Sequence, residues 1–65
     1  MRVIPVDVYD KDGNLTHIDV QDASGEFVLQ MVWDENDEQT SENRELFWKW
    51  AYDFLEKSKG YEVSK

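Results

Sequence analysis

The first half of the chain carries three segments with the residue pattern of β-strands. In residues 3–9, three β-branched residues recur at every second position and so share one face: Ile4, Val6 and Val8. Pro5 cannot donate to a β-ladder, which favours a sheet edge or an outward-facing fifth residue for this strand. Residues 15–21 alternate in the same way, and residues 27–33 are apolar at nearly every position. The last pattern is typical of a strand that is more fully covered than its neighbours or lies centrally in the sheet.

Turn-forming residues separate these segments, with Gly13 in the first turn and Gly25 in the second. The second half of the chain then predicts one long helix over residues 41–59, capped by Thr40 or Ser41 and ended by Gly60. Its apolar residues recur at the spacing of one helix face, which we expect to cover the sheet: Leu46, Phe47, Trp50, Ala51, Phe54 and Leu55.

This order of elements predicts an α+β fold, a three-stranded antiparallel meander followed by one C-terminal helix on one sheet face. Residues 61–63 leave open whether a short fourth strand follows, so both βββα and βββαβ fit the pattern. With 65 residues the chain is long enough for a single domain over residues 1–65 and one core.

The composition narrows the classes of function. The chain has no cysteine and one histidine, so thiolate and common zinc ligand sets are excluded, and we expect neither a metal nor another cofactor. The lack of cysteine and of a signal-peptide pattern favours a cytoplasmic protein. No segment approaches the roughly 20 apolar residues of a membrane-spanning helix, so we expect no membrane role.

Negative charge dominates the chain and is concentrated in one region. The net charge is −8, and eleven of the fifteen acidic residues lie between residues 10 and 45, with only Lys11 and Arg44 opposing them. Such a surface repels nucleic acid and favours a basic protein partner. The acidic face that we predict to bind this partner comprises Asp34, Glu35, Asp37, Glu38, Glu42 and Glu45. The alternative is that these side chains only keep a small domain soluble.

A second candidate site is aromatic. Trp48 and Tyr52 are one helical turn apart and lie off the predicted core face, and Arg44 would extend the stripe by another turn. Trp, Tyr and Arg are the residues that most often dominate binding energies, so this stripe predicts a hot spot for a partner protein. It could instead cover the far edge of the sheet or form a homodimer contact.

Catalytic signals are weak. His17 is isolated on the outward face of a strand, and no serine lies in a nucleophile-elbow pattern, so we expect no enzyme. Residues 10–14 resemble the start of a calcium loop, but the glycine comes at the fourth position and residue 21, the twelfth, is Gln instead of Glu.

In size, charge and layout the chain resembles the small acidic inhibitors of bacteriophages and mobile elements, among them DNA mimics, anti-CRISPR and anti-restriction proteins. The resemblance implies an inhibitor of a nucleic-acid-binding protein. Carboxylates two apart on a strand lie roughly 6.6 Å apart and a helical turn rises about 5.4 Å, on the scale of phosphate spacing. The competing hypothesis is an interaction or oligomerisation domain that uses the aromatic helix face.

Overall fold

The computed structural model describes residues 1–64 and confirms the α+β prediction, including the short last strand. The elements in chain order are β1 (Arg2–Tyr9), β2 (Leu15–Asp22), β3 (Phe27–Val32), α1 (Ser41–Asp53), a π-helical turn (Phe54–Ser58) and β4 (Glu62–Val63). Thr40 caps α1, because its hydroxyl accepts a hydrogen bond from the Asn43 amide at 3.0 Å. The predicted boundaries of the helix are therefore close to the observed ones.

The four strands form one sheet in the order β3-β2-β1-β4, with β4 parallel to β1 and the other pairs antiparallel. The prediction that the third strand is central or more fully covered than its neighbours is wrong, because β2 is central and more fully buried and β3 is an edge strand. The apolar run of β3 does not reflect burial along its whole length, since its end residues are exposed: Phe27 to 66% and Val32 to 65%. β4 pairs only with Arg2 and Val3. Pro5 therefore lies beyond this pairing, where its missing N–H costs no ladder bond.

The core lies between one sheet face and the helix. Its fully buried cluster comprises Val3, Ile18, Val20, Met31, Ala51 and Leu55. Ile4 and Val6 do share a face, as predicted, but they are partly exposed on the side of the sheet opposite Val3. Only one face of the sheet is therefore covered by a helix.

The predicted core face of the helix needs a correction. Ala51 and Leu55 are buried, and Phe47 and Phe54 pack against the core, but Leu46 and Trp50 are not part of it. Trp48 packs there instead. The small Ala51 side chain lets the helix approach the sheet closely, so the buried stripe runs along residues 48, 51 and 55.

The last helical turn widens before the chain turns back to the sheet. The Lys59 amide donates to the Phe54 carbonyl at 3.1 Å, the i→i−5 bond of a π-helix. Gly60 ends the turn at φ +69°, a conformation that favours glycine. The Tyr61 amide then donates to the Leu55 carbonyl at 2.9 Å, which directs β4 alongside β1.

Candidate functional site

One end of the molecule collects acidic residues that are distant in sequence. The turn between β1 and β2 and the segment after β3 lie at the same end of the sheet, because His17 near the start of β2 pairs with Val32 at the end of β3. A cleft of about 450 Å³ separates the two segments, and Asp10, Glu35 and Asp37 are among its lining residues. We call residues 34–38 the acidic loop.

Hydrogen bonds hold the acidic loop in one conformation. The Asp34 carboxylate accepts from the Asn36 amide at 3.0 Å, and the Asp34 carbonyl accepts from the Asp37 amide at 2.9 Å. The indole Nε1 of the buried Trp33 donates to the Asp37 carbonyl at 3.2 Å. A core tryptophan thus ties the middle of the loop to the domain.

Gln39 fixes the end of the acidic loop to the sheet. Its amide group accepts from the Leu15 N–H at 3.0 Å and donates to the Leu15 carbonyl at 2.9 Å. The Arg44 Nε donates to the same Gln39 oxygen at 3.2 Å, and Asn43 Nδ2 donates to the Glu38 carbonyl at 3.0 Å. Sequence reasoning missed the anchoring role of Gln39 because its bonds to the backbone across 24 positions leave no local pattern.

The acidic side chains themselves are left to solvent. All six predicted partner-binding acids are exposed: Asp34, Glu35, Asp37, Glu38, Glu42 and Glu45. Within residues 1–64, the ion pairs join Arg2 to Glu62, His17 to Asp19 and Lys57 to Asp53, and none involves these six. Glu42 also lies in the first turn of α1, where the helix dipole favours a negative charge. This end of the molecule therefore presents uncompensated negative charge.

An apolar cleft of about 320 Å³ lies beside the acidic loop. Val32, Leu46, Phe47 and Trp50 line it, together with the polar residues Asp34, Asp37 and Asn43. Leu46 is 59% exposed and Trp50 is 54% exposed, so large apolar surface is open to solvent here. Large exposed apolar side chains thus lie next to carboxylates that have no ion-pair partner within residues 1–64.

A continuous row of aromatic rings runs from the acidic loop along the helix. The Trp33 and Phe47 rings meet edge to face with centroids 5.2 Å apart. Trp50 is stacked between Phe47 and Phe54, with centroid distances of 5.9 and 6.1 Å. The stacking holds the exposed Trp50 ring in one orientation, which lowers the entropy cost of using it in binding.

The residues of the predicted aromatic site do not all lie where the sequence predicts them. The prediction that Trp48 lies off the core face is wrong, since it packs against the core and its Nε1 donates to the Asp7 carboxylate at 3.1 Å. Tyr52 is half-buried, and burial, followed by the negative charge of Asp7, raises the pKa of its hydroxyl. Arg44 is also half-buried against Gln39. Binding roles for these three residues stay predictions.

Local hydrogen bonding explains the pattern that resembled a calcium loop. The Asp10 carboxylate accepts from the Asp12 and Asn14 amides at 2.9 and 3.0 Å, and Gly13 has a φ of +82°. These are the features of an Asx-type turn in a hairpin. Among residues 1–64 no group of three or more His, Cys, Asp or Glu side chains is arranged to hold a metal ion.

His17 is a partly buried strand residue. Its Nδ1 lies 2.8 Å from the Thr16 hydroxyl, and its Nε2 lies 3.5 Å from the Asp19 carboxylate. Both neighbours are on β2.

In the part of the chain that the structure describes, no helix is long and apolar enough to cross a membrane. Two features remain as the basis of a functional proposal, the acidic loop and the apolar cleft beside it. The proposal rests on these two features alone, because comparison of the chain with protein-family models, with curated proteins and with solved structures finds no match.

Proposed function

We propose that the chain is a small cytoplasmic binding protein that docks its acidic end on the basic surface of a nucleic-acid-binding protein and inhibits it by displacing nucleic acid. The observation that carries the proposal is an ordered loop whose exposed carboxylates have no ion-pair partner within residues 1–64. This is the way in which the acidic inhibitors of bacteriophages and mobile elements act.

Two physical effects support this proposal. Clustered charge of one sign steers an oppositely charged partner and raises the association rate, and the effect falls with ionic strength. The bonds from Trp33 and Gln39 fix the loop before binding, so little conformational entropy is lost when the partner docks. A carboxylate surface held in this way can occupy a groove that otherwise holds phosphates.

The role proposed is binding and not catalysis. Thr16 lines the cleft of about 450 Å³ together with Glu35 and Asp37, but its hydroxyl donates to the Val8 carbonyl at 3.1 Å and lies 2.8 Å from Nδ1 of His17 on the same strand. With fifteen acidic residues in the chain, pairs of carboxylates are common at any chosen spacing, so they give no specific support for acid-base catalysis.

Two charge-matched double variants test the proposal. Glu35→Lys with Glu38→Lys reverses charge on the acidic loop, while Glu26→Lys with Glu56→Lys makes the same change in net charge at exposed positions elsewhere. Asp34 is kept, because its carboxylate caps the loop. The assay measures how well each protein displaces labelled duplex DNA or RNA from a panel of Lys/Arg-rich binding domains.

We expect wild type and the Glu26/Glu56 variant to displace nucleic acid from at least one domain, and the Glu35/Glu38 variant to be weaker by about tenfold or more. Displacement should also weaken between about 50 and 300 mM salt, as screening shortens the range of the charges. Equal losses in the two double variants would contradict the proposal, because net charge alone would then account for the effect. So would failure to displace nucleic acid from every domain at low salt.

A second candidate function is self-association through the exposed side of α1, favoured by the exposure of Leu46 and Trp50. In this case the acids serve solubility, and the contact is insensitive to salt. Sedimentation equilibrium over a range of protein concentrations measures it directly, and a monomer at every concentration would exclude it.

A further inference from the structure

We propose that the apolar cleft beside the acidic loop binds a segment of the partner protein in which a large apolar side chain lies next to a lysine or arginine. The inference rests on the proposed function and names the chemistry of the partner at that site. It differs from charge docking alone, because it requires an apolar side chain to enter the cleft.

The cleft exposes large apolar side chains to solvent. Val32, Leu46 and Trp50 are each more than half exposed, and Phe47 also lines the cleft. Covering such surface with an apolar side chain removes it from water, and Trp is among the residues that contribute most to binding when it is covered. At about 320 Å³ the cleft is at the lower end of ligand-site volumes, which suits a protruding side chain.

The lining of the cleft also carries negative charge. Asp34 and Asp37 line the cleft, and no lysine or arginine among residues 1–64 does so. A cation next to the inserted side chain would meet two carboxylates that lack ion-pair partners within residues 1–64. An acidic segment would be repelled, and so would a nucleic acid strand. Charge complementarity therefore selects a basic segment of a protein.

The geometry of a short amphipathic helix meets both requirements. Apolar and cationic side chains three or four positions apart lie next to each other on one helix face. A helix that packs an apolar face into a groove is also a common mode of peptide recognition. The aromatic row gives the cleft a fixed wall, because Trp50 is stacked between Phe47 and Phe54.

Three synthetic peptides of equal length test the proposal. The first is an amphipathic helix with leucine and lysine three and four positions apart, the second replaces each leucine by serine, and the third replaces each lysine by glutamate. Binding of dye-labelled peptides to the whole chain is measured by fluorescence anisotropy. Chemical-shift perturbation of the Trp50 indole N–H resonance reports whether the cleft is the site.

Matched variants locate the contact on the protein. Leu46→Ser removes an exposed apolar side chain from the cleft, and Phe27→Ser removes one that is similarly exposed outside it. Asp37→Asn removes one charge and keeps the loop, because the loop bond at this residue uses its backbone carbonyl. Far-UV circular dichroism confirms that each variant is folded.

We expect the leucine-lysine peptide to bind at least about tenfold more tightly than either control peptide. Leu46→Ser and Asp37→Asn should each weaken it several-fold, whereas Phe27→Ser should leave it unchanged.

Equal binding of the leucine and serine peptides would overturn the inference and leave the proposed function in place, since charge docking needs no apolar side chain. Equal effects of Leu46→Ser and Phe27→Ser would also overturn it. So would concentration-dependent dimerisation that Leu46→Ser abolishes, because a second copy would then occupy the cleft. Failure of the proposed function is recognised separately, by the absence of nucleic-acid displacement by the wild-type protein.

Discussion

Gln39 is the residue whose removal tests most directly whether the acidic loop is held in place. Its side-chain amide makes two hydrogen bonds to the backbone of Leu15, which is 1% exposed. Arg44 donates to the same side chain and orients it. Gln39→Ala removes all three bonds and leaves a buried N–H and carbonyl without a protein partner.

The cost follows from these bonds. Leaving a buried polar group unsatisfied costs about 1–3 kcal/mol, but the neighbouring cleft is open enough to let water reach part of this site. We therefore expect a loss of about 2 kcal/mol in the free energy of unfolding for both groups together. A domain of this length is stable by only about 3–10 kcal/mol, at roughly 0.05–0.15 kcal/mol per residue. The melting temperature should fall by about 8–16 °C.

Urea unfolding followed by tryptophan fluorescence measures this change, because Trp33 packs beside the loop. Gln39→Glu tests the donated bond, since a carboxylate still accepts from Leu15 and Arg44 but places an acceptor oxygen against the Leu15 carbonyl. It should also destabilise the domain, because two acceptors then face each other at this site. Gln30→Ala, at an exposed position on β3, should change the free energy of unfolding by no more than about 0.5 kcal/mol. If Gln39→Ala unfolds at the wild-type urea concentration with the same slope, Gln39 does not anchor the loop and the argument for an ordered acidic surface fails.

Two further predictions concern pH. Hydrogen bonds from the Ser24 hydroxyl and then from the Glu26 amide lower the pKa of Asp22, so its stabilising effect is complete above the unfolded pKa of about 3.9 and is lost as pH falls through the lowered value. Asp22→Asn should flatten the decline of the urea midpoint below about pH 4, and parallel declines in variant and wild type would contradict this. Burial, and then Asp7, raises the pKa of Tyr52, so the unfolded chain loses its proton first and stability should fall above about pH 10. Asp7→Asn should bring the Tyr52 pKa closer to its ordinary value in a titration of tyrosinate absorbance, and an unchanged titration would show that Asp7 has no influence.

Most of the fold could be predicted because its elements have strong local signals. Period-two alternation and glycine-containing turns mark the strands, and the helix has a capping Thr40 and a terminal Gly60. The position of β3 could not be read in this way. An apolar run is typical both of a central strand and of an edge strand whose exposed residues belong to an interaction surface. Val32 is 65% exposed at the end of this edge strand and lines the apolar cleft.

The candidate site could be predicted only in part. The run of acids was visible in the sequence, since clustered charge is a property of composition. What the sequence could not reveal is that Trp33, Gln39 and Asn43 make that run an ordered loop. Each of these contacts joins a side chain to a backbone group, and a backbone group carries no residue-specific signal. Their existence follows from the fold and not from local preference.

Trp48 and Trp50 occupy the reverse of the places that the sequence predicts. The rotation of the helix about its own axis decides which of the two is exposed. Apolar periodicity predicts that Trp50 faces the core and that Trp48 does not, and the structure shows the reverse. Two other residues account for the observed orientation of the helix. Ala51 is the small side chain that permits close approach to the sheet, and Asp7, on the same sheet face as Val3, is an exposed carboxylate that accepts a hydrogen bond from the helix.

The Trp48 indole N–H donates to the Asp7 carboxylate. The helix rotation that places Trp48 there also turns Trp50 outward beside the acidic loop. Trp48→Phe should therefore destabilise the fold, by about 0.5–1.5 kcal/mol for the lost hydrogen bond, without changing the cleft. Trp50→Ala should do the reverse, because the ring is more than half exposed and lines the cleft. It should weaken peptide binding far more than it lowers the free energy of unfolding. The opposite result for the pair would mean that the helix lies on the sheet in the orientation that its apolar periodicity alone suggests, and that the cleft does not exist in this form.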